Sequence, residues 1–289
     1  MPALSCVVCE QESVEESLEE ASVRSNVRAF RDESFVFWRC PKCKTLHARD
    51  PVDLAHYYAK YSFHALVMDW RLRAMYRNQR ARLERAGVKR DHRVLDYGCG
   101  SGAFVSYLRS SGFSNVRGFD EYSSEFDDRS VLDDRYDCVI SQDVIEHVAS
   151  PHDLMTEFRR ITKDAGVIAI GTPNASAIDL RRPDAYVHTI HAPYHRHILS
   201  KDALLDAGQR QGFKLDRFYP TMYSNTAVPF LNEAFYFYYT KITDDTLDAL
   251  MEPVKVGALL ARAPVTLFWG LFGSLFSRHT DVMAVFRRS

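Results

Sequence analysis

No stretch of this sequence reaches the roughly 20 consecutive apolar residues that a membrane-spanning helix needs. The most apolar segment, Ala263 to Phe276, carries no charge but is shorter than that. It reads as a buried or lid helix, with peripheral contact to a membrane or a lipid-linked substrate as the other reading. The start, MPALSCVVCEQ, lacks the basic-then-apolar order of a secretory leader. A basic excess is lacking too. The 37 Lys and Arg stand against 38 Asp and Glu, a formal net charge of −1, so no nucleic-acid partner is expected. Disorder is excluded by composition, since 46% of residues are hydrophobic and 26% charged. The expectation is a folded, cytoplasmic protein; its 289 residues are enough for one α/β domain plus a small module.

Cysteines number six, and four of them fall in two close pairs, Cys6/Cys9 and Cys40/Cys43. Without an export signal, C-x2-C pairs favour metal over disulfides. Two intervening residues let a tight knuckle turn both sulfurs to one ion, and zinc takes four thiolates in a tetrahedron. A four-cysteine site is closed, hence structural rather than catalytic. Lys42 and Lys44 offset its negative charge. Ser34 to Cys40 alternates like a strand entering the second knuckle. The arginine-rich stretch that follows holds Leu66, Met68, Trp70, Leu72, Met75 and Leu83 and predicts one or two linking helices with a solvated basic face.

The segment HRVLDYGCGSGAFVSYLRSSGFSNVRGFDEYS carries the densest signal. Arg93 to Asp96 reads as a buried strand, Gly98, Gly100 and Gly102 as a loop, and Ala103 to Ser111 as a helix. A second strand then ends at Asp120. This is one β-α-β unit of a doubly wound sheet. Glycines let a ligand approach the backbone without a Cβ in the way. An acid ending the second strand can accept bonds from both ribose hydroxyls, so a nucleoside lies across the strand ends. The same glycines satisfy the dinucleotide pattern G-x-G-x-x-A, which keeps a nicotinamide oxidoreductase in play. Asp96 weighs against it: a carboxylate before the loop repels a pyrophosphate and attracts an ammonium.

These residues resemble the class I S-adenosylmethionine-dependent methyltransferases. VLDYGCGSG is similar to that family's first motif, VRGFDEYS to its second, and YDCVISQDVIEHVASPHDL to its fourth strand and following box, with Ile145 in place of a leucine. FRRITKDAGVIAIGTPN and HRHILSKDALLDAGQRQGFKL continue the likeness, the latter toward the ubiquinone-biosynthesis O-methyltransferases, many of whose bacterial relatives carry such a ribbon. The resemblance implies an α/β, doubly wound, Rossmann-like sheet of seven strands with the last antiparallel. The expected layout is a zinc ribbon over 1–50, a helical linker over 51–90, a core over 91–220 and 280–289, and a helical insertion over 221–279 that acts as a substrate lid. By position, Asp96, Gly98, Cys99, Gly100 and Gly102 would line the methionine end of the cofactor. Asp120 would hold the ribose, with Glu121 and Tyr122 beside the adenine and Gln142 and Asp143 near the methyl. Tyr122 to Tyr136 is too short for a full helix plus third strand, so the adenine contact is open, with Val131 and Leu132 as candidates.

A general base helps when the acceptor is a hydroxyl or an amine, and histidine suits neutral pH. His147 and the group His188, His191, His195 and His197 are the candidates; His191, His195 and His197 follow the fifth strand at the cofactor's end of the sheet. Each could instead bond a backbone carbonyl to fix a loop. If helical, Asp143, Glu146 and His147 would share one face; bracing of the adjoining turn is preferred there to holding a divalent cation. Tyr57, Tyr58 and Tyr61 either fold over the cofactor or pack the linker. The aromatic insertion suggests a small ring-bearing, apolar or lipid-linked acceptor, methylated first at oxygen. A non-catalytic zinc-ribbon binding protein is the remaining alternative, against which the intact glycines and Asp120 stand.

Overall fold

The computed structural model describes residues 4–13, 18–60 and 68–289. Tyr61 and Leu66 lie outside them. At the N-terminus, β1 (Leu4–Ser5) and β2 (Glu12–Ser13) form a short hairpin around Cys6 and Cys9. An antiparallel sheet follows from β3 (Glu19–Arg24), β4 (Ser34–Arg39) and β5 (Leu46–Ala48). Two capped helices come next. Asp53 accepts from Ala55 N ahead of α1 (Leu54–Tyr58), and Asp69 accepts from Leu72 N ahead of α2 (Trp70–Arg85). Along α2, Tyr76, Gln79 and Leu83 recur at helical spacing and are buried. Arg82 is buried as well, donating to Thr221 O at 2.6 Å and Met222 O at 3.0 Å. That arginine clamps the linker helix to the core rather than facing solvent.

The core alternates strand and helix: β6 (Arg93–Tyr97), α3 (Ala103–Ser110), β7 (Asn115–Phe119), β8 (Tyr136–Gln142), α4 (Pro151–Ile161), β9 (Thr162–Pro173), α5 (Val187–Ile190), β10 (His197–Ile198), α6 (Lys201–Arg210) and β11 (Phe213–Tyr219). The insertion contributes α7 (Glu233–Thr243), α8 (Asp248–Met251), α9 (Val256–Leu260) and α10 (Ala263–Phe272), before β12 (Asp281–Arg288) closes the fold. The main sheet runs β11-β12-β9-β8-β6-β7. β6, β7, β8 and β9 are parallel, and β12 is antiparallel to both neighbours. Strand period two divides the core. Leu95, Val139, Ile168, Ile170 and Phe286 face α4 and α6; Val94, Cys138, Ile140, Ala169 and Val285 face α2 and α3.

The sheet has six strands among the described residues, not the seven expected. Between β7 and β8 the chain makes one 3-10 turn, Arg129–Asp133, instead of a helix and an edge strand. Val131 and Leu132 are buried in the core under that turn, fixed by Tyr136 OH donating to Val131 O at 2.6 Å.

β10 does not join the main sheet. It pairs with β5, His197 opposite His47 and Ile198 opposite Leu46. Ser200 completes the junction: its hydroxyl donates to Cys43 O at 2.6 Å and accepts from Ala203 N to cap α6. The cysteine module is thus built into the core by a shared strand.

Candidate active site and metal centre

Cys6, Cys9, Cys40 and Cys43 come together, each thiol within 4.8 Å of the others. Cys6 and Cys43 sulfurs are 3.5 Å apart, and Cys9 and Cys40 3.6 Å. Ligands about 2.3 Å from one tetrahedral ion stand at about such separations. His47 supports the cluster from outside, its Nε2 3.2 Å from Cys6 Sγ and its ring stacked on Trp38. The donor set and spacing fit a zinc ion.

Chain reversal makes the second site. β7 lies on one side of β6 and β8 on the other, so a crevice opens at their carboxyl ends. Gly98 N and Cys99 N donate to Phe119 O at 2.7 and 3.1 Å, which holds the loop against β7. Asp120 then braces it: Oδ2 accepts from Gly100 N at 2.8 Å and Oδ1 from Tyr122 N at 2.9 Å. A carboxylate has about four acceptor positions, so each oxygen keeps capacity for a ribose hydroxyl. Gly98 has φ +79°, and a Cβ there would meet Val144 Cγ2 at 2.2 Å. Gly100 also has positive φ, yet nothing lies within 4 Å of where its Cβ would be. Its open side is the cradle a ligand can enter.

The other expected cofactor residues take distinct places. Asp96 is buried beneath the loop. Cys99 is half-buried, its sulfur close above Gly118. Gly102 begins α3 in the left-handed region, under Phe126. Glu121 is exposed and paired with Arg129. Tyr122 is exposed and stacks on Tyr58 at 6.2 Å. Gln142 packs over Gly171, bonds Met222 Sδ at 2.9 Å and donates to Asp143 Oδ1 at 3.4 Å. Asp143 has φ +56°, a left-handed conformation that non-glycine residues adopt mostly at turns and functional sites. It is exposed to solvent while protein crowds it, as on the floor of an open cleft, and this crowding pushes its carboxyl up to about 6. Tyr58 reaches across, with its hydroxyl 3.3 Å from His147 Nδ1. Tyr57 instead packs on Phe30 and Phe35 and donates to Glu33 at 2.7 Å.

Histidines fill the far wall. His191 Nδ1 bonds Asn26 Oδ1 at 2.8 Å, and His197 Nε2 donates to Ile145 O at 2.8 Å. His147 Nδ1 bonds Tyr194 O at 3.0 Å and His195 Nδ1 bonds Thr189 O at 3.1 Å. A carbonyl only accepts, so both rings carry their proton on Nδ1 and a lone pair on Nε2. Between them sits Glu146, fully buried, with Oε2 accepting from Thr172 and Oε1 3.9 Å from His195 Nε2. Burial and the neighbouring Asp143 push Glu146 well above the usual range. Burial holds His147 and His197 down at about 4, His191 at about 3, and His195 well below its ordinary value. All four rings are neutral at pH 7. His188, on α5, stands apart from them and meets the insertion, 3.0 Å from Thr240 Oγ1.

One cleft residue had no sequence signal. Asp281, first in β12 and opposite Pro173 at the end of β9, shares the Thr280 hydroxyl with Glu233. Burial and the charges of Glu233 and Asp143 push it well above its ordinary value. Only the antiparallel pairing brings it beside Asp143.

Residues 68–217, more than half of the chain, match the family model described as a methyltransferase domain. The chain belongs to that methyltransferase family. The match does not favour the nicotinamide reading. No curated protein matches the chain. Similar solved structures include an S-adenosylmethionine-dependent methyltransferase from Archaeoglobus fulgidus, 17% identical, covering 81% of this chain and 99% of that one with a TM-score of 0.46. Another, from Mesorhizobium loti, is 16% identical and covers 73% and 98% with a TM-score of 0.44. A cyclopropane synthase from Mycobacterium tuberculosis is 17% identical and covers 73% and 84% with a TM-score of 0.43. These are likenesses of fold. S-adenosylmethionine is the cofactor that this methyltransferase fold implies, and the open Gly100, the braced Asp120 and the buried Asp96 fit a nucleoside with an ammonium group. Among the described residues no helix is long and apolar enough to cross a membrane.

Asp96 is expected to make ligand binding in this cleft depend on pH. Burial first, and the charge of Asp120 second, raise its carboxyl from 3.8 to about 7. The free protein therefore holds it largely neutral at pH 6 and ionised at pH 8. An ammonium ligand favours the ionised form, so affinity for S-adenosylhomocysteine is expected to rise across that window. Titration calorimetry at pH 6 and pH 8 checks this, and Asp96→Asn should flatten the rise. A flat profile in the native protein would separate Asp96 from the ligand's ammonium.

Proposed function

We propose that this methyltransferase transfers a methyl group from S-adenosylmethionine to an oxygen of a small acceptor, a sugar, polyketide, quinone or lipid-linked molecule. The observation that carries the cofactor half is Asp120 at the end of β7, braced against the open Gly100. Asp96 and Asp143 would face the methionine end, and Tyr122 and Tyr58 the adenine side. The cofactor, when bound, supplies an activated methyl and its own leaving group. The protein's part is alignment, which is worth several kcal/mol in a displacement of this kind. His147 and His195 are the proposed bases, because each is neutral and holds a lone pair on a ring nitrogen fixed by a backbone carbonyl. His191 and His197 are proposed to position that wall through Asn26 and Ile145. The insertion over 221–279 would cover the cleft and select the acceptor, and the four cysteines would hold zinc as a structural ion.

Calorimetric titration with S-adenosylhomocysteine tests the reading, with NAD as control. Binding by the native protein is expected, weakened about a hundredfold or more in Asp120→Ala, since loss of that carboxylate removes two charge-assisted hydrogen bonds to ligand. Binding of NAD alone by a folded sample would overturn it.

A further inference from the structure

Helix α10 is inverted. Its fully buried positions are small residues, Thr266 and Gly270, with Gly273 just beyond its end, and beside them only Trp269 among its bulky side chains packs inward, half-buried against Phe235 and Tyr239. A Cβ on Gly270 would meet the Phe230 ring at 2.3 Å, and one on Gly273 would meet Asn232 Oδ1 at 2.2 Å, so this face is closely packed. Bulky apolar side chains point outward instead: Leu267, Phe268, Leu271 and Phe272 are each 43–51% exposed, and Leu260 and Leu275 are 69% and 78% exposed. A helix on a globular surface in water buries its apolar stripe. Exposure on this scale, contiguous rather than scattered, marks a surface that is covered in use.

Charge says what covers it. From Pro253 through Thr280 the chain has no Asp or Glu, while Lys255, Arg262 and Arg278 border the apolar face. All three cations are exposed; Lys255 stands 3.9 Å from Glu252, an acid already held by Arg28, and Arg278 donates to Ala185 O at 2.9 Å. A two-fold contact with a second copy would press like charges together. Anionic lipid headgroups complement them, while the aromatic and leucine side chains enter the acyl boundary, as in helices that lie in the membrane plane. We propose that the α9–α10 face docks the protein on an anionic membrane surface. The docking stands on this face alone and does not depend on the acceptor or on methyl transfer.

Vesicle co-sedimentation of the full chain tests it, with phosphatidylcholine vesicles compared with vesicles that also contain phosphatidylglycerol. The expected result is binding to the anionic vesicles, at least about tenfold weaker to the neutral ones and weakened by salt. Two variants locate the contact. Phe268→Ser with Phe272→Ser should abolish binding, and Lys255→Glu with Arg262→Glu should remove the preference for anionic lipid. Both pairs are exposed, and unchanged circular dichroism would confirm that the fold is kept. Absence of binding to both vesicle types, or binding that neither variant alters, would overturn the proposal. So would a dimer by light scattering that the phenylalanine variant converts to a monomer, which would give the face to a second copy.

Discussion

Cys40→Ser is expected to abolish zinc binding at the four-cysteine cluster and to lower the melting temperature by about 10 °C or more. Structural zinc contributes about 10–16 kcal/mol in small zinc-binding peptides, and much of that is folding free energy. In a chain of this size about 1 kcal/mol moves the midpoint by about 2–4 °C, so a fraction of that contribution is enough. The effect should reach the cleft. β5 leaves the second knuckle and pairs with β10. Arg39, ending β4, donates to Ala175 O at 3.0 Å and Ile178 O at 2.6 Å, beyond β9. Cys43 O receives the Ser200 hydroxyl. An unfolded knuckle therefore withdraws support from both ends of the segment that carries His191, His195 and His197. Metal analysis with scanning calorimetry measures the first effect, and S-adenosylhomocysteine titration of the variant measures the second. Full metal loss with an unchanged transition would show that the module stands without its ion.

For His147→Asn the expected loss is in kcat, about a hundredfold to ten-thousandfold, the range a positioned general base supplies, with affinity for S-adenosylhomocysteine kept within about twofold. The pH profile separates chemistry from packing. Burial lowers the His147 pKa to about 4. A base must be neutral to accept a proton, so its contribution is lost only as pH falls through that value. Native activity limited by this group should be level from pH 6 upward and fall below pH 5. His195→Asn provides the companion measurement, because its Nε2 points at Glu146. If His147 only braces the turn through Tyr194 O, the variant melts earlier while kcat and the profile stay put. That result would move the base to another group or make the cleft an alignment device alone.

The glycine loop was legible because each of its residues answers a local demand. A turn with positive φ at 98, 100 and 102 calls for glycine, and an acid at the end of the next strand sits where a parallel neighbour places it. The cysteine cluster was legible for the same reason, as two knuckles aimed at one ion. What escaped depends on contacts remote in sequence. The missing seventh strand shows only as a segment too short for it, filled by a 3-10 turn around Val131 and Leu132. Asp281 reaches the cleft through β12, more than 130 residues after Asp143. The inverted face of α10 was half visible: its apolar content is plain in the sequence, but whether the leucines or the glycines turn inward depends on Phe230 and Asn232 beneath it.

The strand shared between the two parts of the molecule also sets an order of assembly. β5 ends at Ala48 and its partner β10 begins at His197. A ribosome must add roughly 150 residues between them, about 8–30 s of synthesis at ordinary rates. Through that interval the edge of the cysteine module is an unpaired strand, the kind of edge that invites association with other chains. A metal-loaded module waiting in its final shape would offer the emerging core a rigid template. An empty one would leave that edge to whatever strand arrived first. An ion bound by the four cysteines would then act on assembly as well as on stability, before the rest of the core has been made.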